Sequence, residues 1–209
     1  MEALFIHGMG RTPLSGWPLL WKLRRAGIRT STFGYSVALE SFSRIRDRLA
    51  SRVLTLAARG DYILIGHSLG GVLLRGALNS LPKGVRPPRH VFLLGSPIQP
   101  SRLAQRLQRN PIFVLLTRDC GRLLASADRM LMIGAIAVPT TSIVGIRELL
   151  VTRGAFQGEA NDGVVSVAEV SAGWLTEQVR VPCAHTLLPS SMRVADAILE
   201  RLRGRHRGE

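Results

Sequence analysis

The stretch that most constrains this chain is Asp61 to Leu78, DYILIGHSLGGVLLRGAL. An apolar run, Tyr62 to Ile65, leads into Gly66-His67-Ser68-Leu69-Gly70, and a second apolar run follows at once. A short uninterrupted apolar run suits a strand buried on both faces, and the longer run after it suits a helix. The five residues between them match G-x-S-x-G, the pattern of a sharp strand-to-helix turn. Such a turn holds its central residue in a strained backbone conformation. Side chains two positions to either side would collide, so both positions are glycine. The turn lifts the Ser68 hydroxyl clear of the sheet and sets it at the positive end of the next helix, where developing negative charge is favoured.

The same alternation runs along the chain. ALFI at 3–6, IRTSTFGY at 28–35, YILIG at 62–66, HVFLLGS at 90–96, TSIVGI at 141–146 and EQVRVP at 177–182 read as strands. Residues 14–26, stopped by Gly27, read as a helix. So do 41–58, with Phe42, Ile45, Leu49, Val53 and Leu56 at helical intervals, and 69–81. A last helix, roughly 190–203, is expected to be capped by Ser190 or Ser191. Apolar strands alternating with amphipathic helices predict an α/β fold: a mostly parallel sheet of about six strands with helices on both faces. A chain of 209 residues without an internal repeat or linker is one domain, 1–209. Only 97–139 breaks the rhythm, with extra helical material. It reads as a small helical cap or lid-like insertion over the C-terminal edge of the sheet, or equally as ordinary covering helices.

The charge is lopsided, with 28 Lys plus Arg against 14 Asp plus Glu. That admits peripheral contact with an anionic lipid surface. Nucleic acid is disfavoured, because the arginines are scattered, clustering only in the tail RLRGRHRGE, and no basic helix or aromatic ladder accompanies them. Cys120 and Cys183 form no CxxC or Cys/His ligand pattern, so no zinc site is expected, and a disulfide between them stays open. The opening MEALFIHG is too short for a secretory leader and carries Glu2 in place of a basic start, so a complete chain is expected in the cytoplasm. The longest apolar stretch, Met130 to Pro139, falls short of the ~20 residues of a spanning helix.

GHSLGG after a buried strand, with HGMG at the end of the first strand, resembles the α/β-hydrolase superfamily, and within it the small bacterial lipases and esterases. The resemblance covers nearly the whole chain. It implies the α/β-hydrolase fold and a serine hydrolase of carboxylic acyl esters, with a Ser-His-Asp triad and an acyl-enzyme intermediate. It implies Ser68 as nucleophile. The base should follow the acid in the chain, and His185, after a predicted strand and before the last helix, meets that order. His90 starts a strand and His206 lies in the charged tail. The acid lies among Asp119, Asp128, Glu148, Glu159, Asp162, Glu169 and Glu177. Asp162 is favoured, because similar lipases carry the acid in an NDG followed by an apolar pair and Ser, and His185 lies 23 positions on. Glu148, directly after TSIVGI, is its rival.

The oxyanion hole is expected from the backbone N–H groups of Met9 and Leu69. His7, Gly8, Gly10 and His67 are expected to support the loops, with the His67 side chain pointing away beside Ser68. Calcium-dependent relatives carry an aspartate where Leu187 stands, so no calcium, and no other metal or cofactor, is expected. Trp17, Trp21, Ile98, Phe113 and the Met130–Met132 region suit the core, or failing that an acyl pocket. The substrate expected is a small-molecule or lipid ester. An acyltransferase, thioesterase or amidase on the same triad, or a non-catalytic basic lipid-binding protein, are the alternatives.

Overall fold

The computed structural model describes residues 1–149 and 154–204; His206 and the rest of the basic tail from 205 onward lie outside them. Within the described residues six strands form one sheet: β1 (Glu2–Ile6), β2 (Arg29–Phe33), β3 (Tyr62–His67), β4 (His90–Leu94), β5 (Thr140–Gly145) and β6 (Glu177–Val181). Their order is β2-β1-β3-β4-β5-β6, and every neighbouring pair is parallel. Among the described residues, seven α-helices connect and cover them: α1 (Trp17–Arg25), α2 (Phe42–Arg59), α3 (Leu69–Asn79), α4 (Arg102–Leu107), α5 (Pro111–Ala125), α6 (Ala127–Ile133) and α7 (Met192–Gly204). The expected α/β architecture is present, with strand ends within a residue or two of the pattern-based ones.

The central strands are apolar throughout because each face has its own cover. Phe5, Ile65 and Phe92 stand in register and pack with Leu19, Leu20 and Leu23 of α1 and Val194 and Ile198 of α7. Leu4, Leu64 and Val91, one residue back on each strand, face the other way and pack with Ile45 and Leu49 of α2 and Leu73 of α3. Successive side chains on a strand alternate faces, so burial on both sides removes any polar alternation. The edge strands β2, RTSTF, and β6, EQVRV, keep polar residues because one flank of each meets solvent. Helix α2 begins where the Ser41 side chain accepts from Arg44 N at 3.3 Å, an N-cap, and it buries the predicted stripe Phe42, Ile45, Leu49, Val53 and Leu56.

Segment 97–139 holds α4, α5 and α6. Helix α5 is not continuous: Arg118 has φ 45° and ψ −125°, a break that its helical sequence pattern does not announce. The segment is fastened to α3 by Arg75. Its buried guanidinium donates to Gly134 O at 3.2 and 2.5 Å and to Pro97 O at 3.4 Å, and lies 5.5 Å from the centre of the Trp174 ring. Burial pulls the Arg75 pKa down to about 10. Ile98 and Met130 are core residues as expected and Phe113 packs against the core, but Trp17, Trp21 and Met132 are exposed, so they serve neither core nor a closed pocket. Cys120 and Cys183 are both free thiols. Among the described residues, no helix is long and apolar enough to cross a membrane.

Candidate active site

Ser68 stands between β3 and α3 with φ 52° and ψ −124°, a conformation costly for a residue with a side chain. The flanking glycines show why the turn closes. A Cβ on Gly66 would lie 2.6 Å from Gly71 N, and one on Gly70 would strike the carbonyl oxygens of Ile6 and His7. Helix α3 thus rests directly on the end of β1. Ser68 N donates to Leu94 O at 2.9 Å, which ties the turn to β4.

The HGMG loop crosses Ser68 from the other side. A Cβ on Gly8 would sit 3.1 Å from Ser68 Cβ and 2.9 Å from His67 Nδ1, so only glycine permits this approach. Gly10 has φ 67°, in the left-handed region. His7 lies against this loop. Its Nδ1 meets Gly8 O at 2.8 Å, its Nε2 accepts from Tyr35 N at 3.4 Å, and its ring stacks on Tyr35 at 4.2 Å. Tyr35 Oη also donates to His7 O at 2.8 Å. Burial lowers the His7 pKa from its ordinary value, against the hydrogen bond to Gly8 O, which raises it. Met9 follows this crossing, and Leu69 opens α3, where the first N–H groups have no intrahelical acceptor.

His185 begins a 3-10 turn, His185–Ser190, after β6. Its Nδ1 meets Asp162 Oδ2 at 2.8 Å, and both side chains are buried. Asp162 is oriented in turn by its own loop. Its Oδ1 accepts from Val164 N at 3.0 Å and Val165 N at 2.9 Å, and its carbonyl accepts from His185 N at 2.9 Å. Gly163, at φ 92°, makes that turn. The His185 ring lies against Gly95, the residue after Leu94 whose carbonyl holds Ser68 N, so both residues abut the end of β4.

Three of the other carboxylates pair with arginines. Asp119 Oδ2 accepts from Phe42 N at 2.9 Å and Asp119 pairs with Arg129; Glu159 pairs with Arg102, and Glu177 with Arg201. Asp128 lies in the first turn of α6. Glu148, the rival, is approached by Asn161 Nδ2 at 3.5 Å. Glu169 is buried and accepts from Arg102 N and Ser166 N, each at 2.7 Å, joining the start of α4 to the loop of Asp162. His90 Nε2 meets Thr141 Oγ1 at 2.8 Å inside the sheet.

One expectation is corrected: the His67 side chain does not turn away. Its ring centre lies 4.9 Å from that of His185, and its Nε2 meets His185 O at 3.0 Å. A carbonyl only accepts, so Nε2 carries the proton. Burial first, and the nearby His185 second, hold the His67 pKa well below 6.5. A groove of about 560 Å³ lined by Phe42, Arg46, Asn79, Asp119, Arg129 and Met132 touches none of Ser68, Asp162 or His185. Leu187 is half exposed.

No protein-family model and no curated protein matches the chain by sequence. Solved structures do match by shape. The mature lipase BlEst2 of Bacillus licheniformis superposes with a TM-score of 0.69 at 14% identity, over 96% of this chain and 91% of that one. Tomato methylketone synthase I, complexed with 2-tridecanone, gives 0.66 at 12% identity over 97% and 98%. A thioesterase of prodiginine biosynthesis from Streptomyces coelicolor gives 0.58 at 16% identity over 96% and 84%. At such identities the likeness speaks for architecture alone, and on that evidence this chain has the α/β-hydrolase fold.

Proposed function

We propose that the protein is a serine hydrolase of carboxylic acyl esters. One arrangement carries the reading: a buried carboxylate, held by two backbone amides, orients an imidazole at the end of β4, where a serine sits in a positive-φ turn. Proteins of the same fold that are a lipase and a thioesterase support it. In this reading Ser68 Oγ attacks the ester carbonyl while His185 Nε2 takes its proton. Asp162 holds the Nδ1–H tautomer and stabilises the imidazolium. The Met9 and Leu69 amides receive the developing oxyanion, each donor being worth about 3–4 kcal/mol of transition-state stabilisation. His185 then protonates the leaving alcohol, and water releases the acid by the reverse sequence. The helices of 97–139 act as a small cap beside the site.

The test is a panel of p-nitrophenyl acyl esters of rising chain length. Turnover is expected, falling by about 10⁴-fold or more in Ser68→Ala. A fluorophosphonate probe should label Ser68 in the folded wild type. Absence of both turnover and labelling would overturn the reading.

A further inference from the structure

Helix α1 carries two apolar faces, and the core uses one. Leu19, Leu20 and Leu23 are buried, whereas Leu14, Trp17 and Trp21 are 78%, 53% and 43% exposed. Positions 14, 17 and 21 fall at i, i+3 and i+7, one continuous stripe along the 3-10 turn Pro13–Gly16 and the helix it leads into. The stripe continues across the chain. The Pro13–Gly16 turn and α1 pack against the turn His185–Ser190, whose Leu187 is 51% exposed. Arg11 Nη2 donates to Thr186 O at 2.9 Å and fastens the two together.

The segment that carries this stripe is itself purely basic. Residues 11–25 contain Arg11, Lys22, Arg24 and Arg25 and no carboxylate. Asp196 of α7 faces them and pairs with Lys22 at 2.5 Å. The Arg24 guanidinium lies 5.5 Å from the centre of the Trp17 ring, and that of Arg25 lies 4.9 Å from the centre of Trp21. Each exposed indole is thus covered in part by a cation. Indoles favour the level of lipid headgroups, and guanidinium groups favour the phosphates found at the same depth. An amphipathic helix with Trp and Leu on one face and Arg at its margin is built to lie in a bilayer surface.

We infer that the Leu14–Trp17–Trp21 stripe, with Leu187 and flanked by Arg11, Arg24 and Arg25, docks this protein on an anionic phospholipid bilayer. Docking brings the turn that begins at His185 to the lipid surface. It requires no catalytic step, so it is measured apart from the ester reading.

The experiment is co-sedimentation of the full chain with vesicles of phosphatidylcholine alone, and of phosphatidylcholine with one third phosphatidylglycerol, at low and high salt. Binding to the anionic vesicles is expected, weakening as salt rises. Trp17→Ala/Trp21→Ala should weaken it by about tenfold or more. Arg24→Gln/Arg25→Gln should weaken it by about 30-fold and abolish the preference for anionic lipid. Far-UV circular dichroism melts check that both variants fold. Equal binding to both vesicle types, binding undiminished in the two variants, or displacement from vesicles by short duplex DNA would each overturn the inference. A chain that binds vesicles yet turns over no ester would overturn the ester reading and leave the docking surface standing.

Discussion

The Nε2–H of His67 donates to the backbone carbonyl of His185 at 3.0 Å, while the two rings lie 4.9 Å apart. Asp162 therefore holds the His185 ring, and His67 holds the backbone from which that ring projects. Displacing a catalytic group by about 1 Å can cost about 10²-fold in rate. His67→Leu, which keeps bulk but removes the donor, should lower kcat for a soluble ester by about 10–100-fold and leave KM near its wild-type value. His67→Gln places an amide donor near the position of Nε2 and should restore much of the loss. Steady-state kinetics on both variants check this; equal loss in both would mean that volume alone matters there.

The same ring predicts how stability responds to acid. His67 and His7 have folded pKa values lowered from 6.5, chiefly by burial. The unfolded chain therefore binds more protons than the folded chain as pH falls through that value, and stability must decline in that direction. Melting temperature should be highest above about pH 7 and fall steadily toward about pH 5, before most carboxylates titrate. His67→Gln should flatten the slope. Scanning calorimetry across that window tests both statements, and a melting temperature that rises on acidification would contradict them.

Asp162→Asn separates chemistry from folding. The two amide donors, Val164 N and Val165 N, can still be met by the side-chain oxygen. The new NH2 group then faces His185 Nδ1 and selects the wrong imidazole tautomer. Ester turnover should fall by about 10⁴-fold. The melting temperature should change little, because the turn keeps its hydrogen bonds.

Gly70→Ala tests the mounting of the serine. The added methyl meets the carbonyl oxygens of Ile6 and His7, which are backbone and cannot swing aside. Destabilisation of about 3 kcal/mol or more is expected from denaturant unfolding, with activity lost in parallel.

The parts of this molecule that the sequence discloses are those fixed by local chemistry. Buried parallel strands announce themselves as apolar runs, and the turn around Ser68 needs its glycines within two positions. The Asn161-Asp162-Gly163 turn likewise closes on Val164 and Val165, immediate neighbours. What the sequence conceals depends on partners brought from afar. Glu169 reaches Arg102 N, 67 positions away, and Arg75 reaches Gly134 O, 59 positions away. Nothing near either residue marks it as a tie. The direction of the His67 ring is set by where the His185 turn docks, 118 positions on. The exposure of Trp17 and Trp21 was equally hidden, because an apolar residue at helical spacing suits an outer stripe as well as an inner one.

Arg75 grips Pro97 at the start of the 97–139 segment and Gly134 near its end, and it stands on the helix that begins beside Ser68. The chain between those two grips is mechanically an arch with both feet bolted to one beam. Its crown is tied down as well: Asp119, next to the break in α5 at Arg118, accepts from Phe42 N at 2.9 Å. Removing the Arg75 side chain cuts one tie at each foot, while Asn79 still holds Ile133 O and Glu169 still holds Arg102 N.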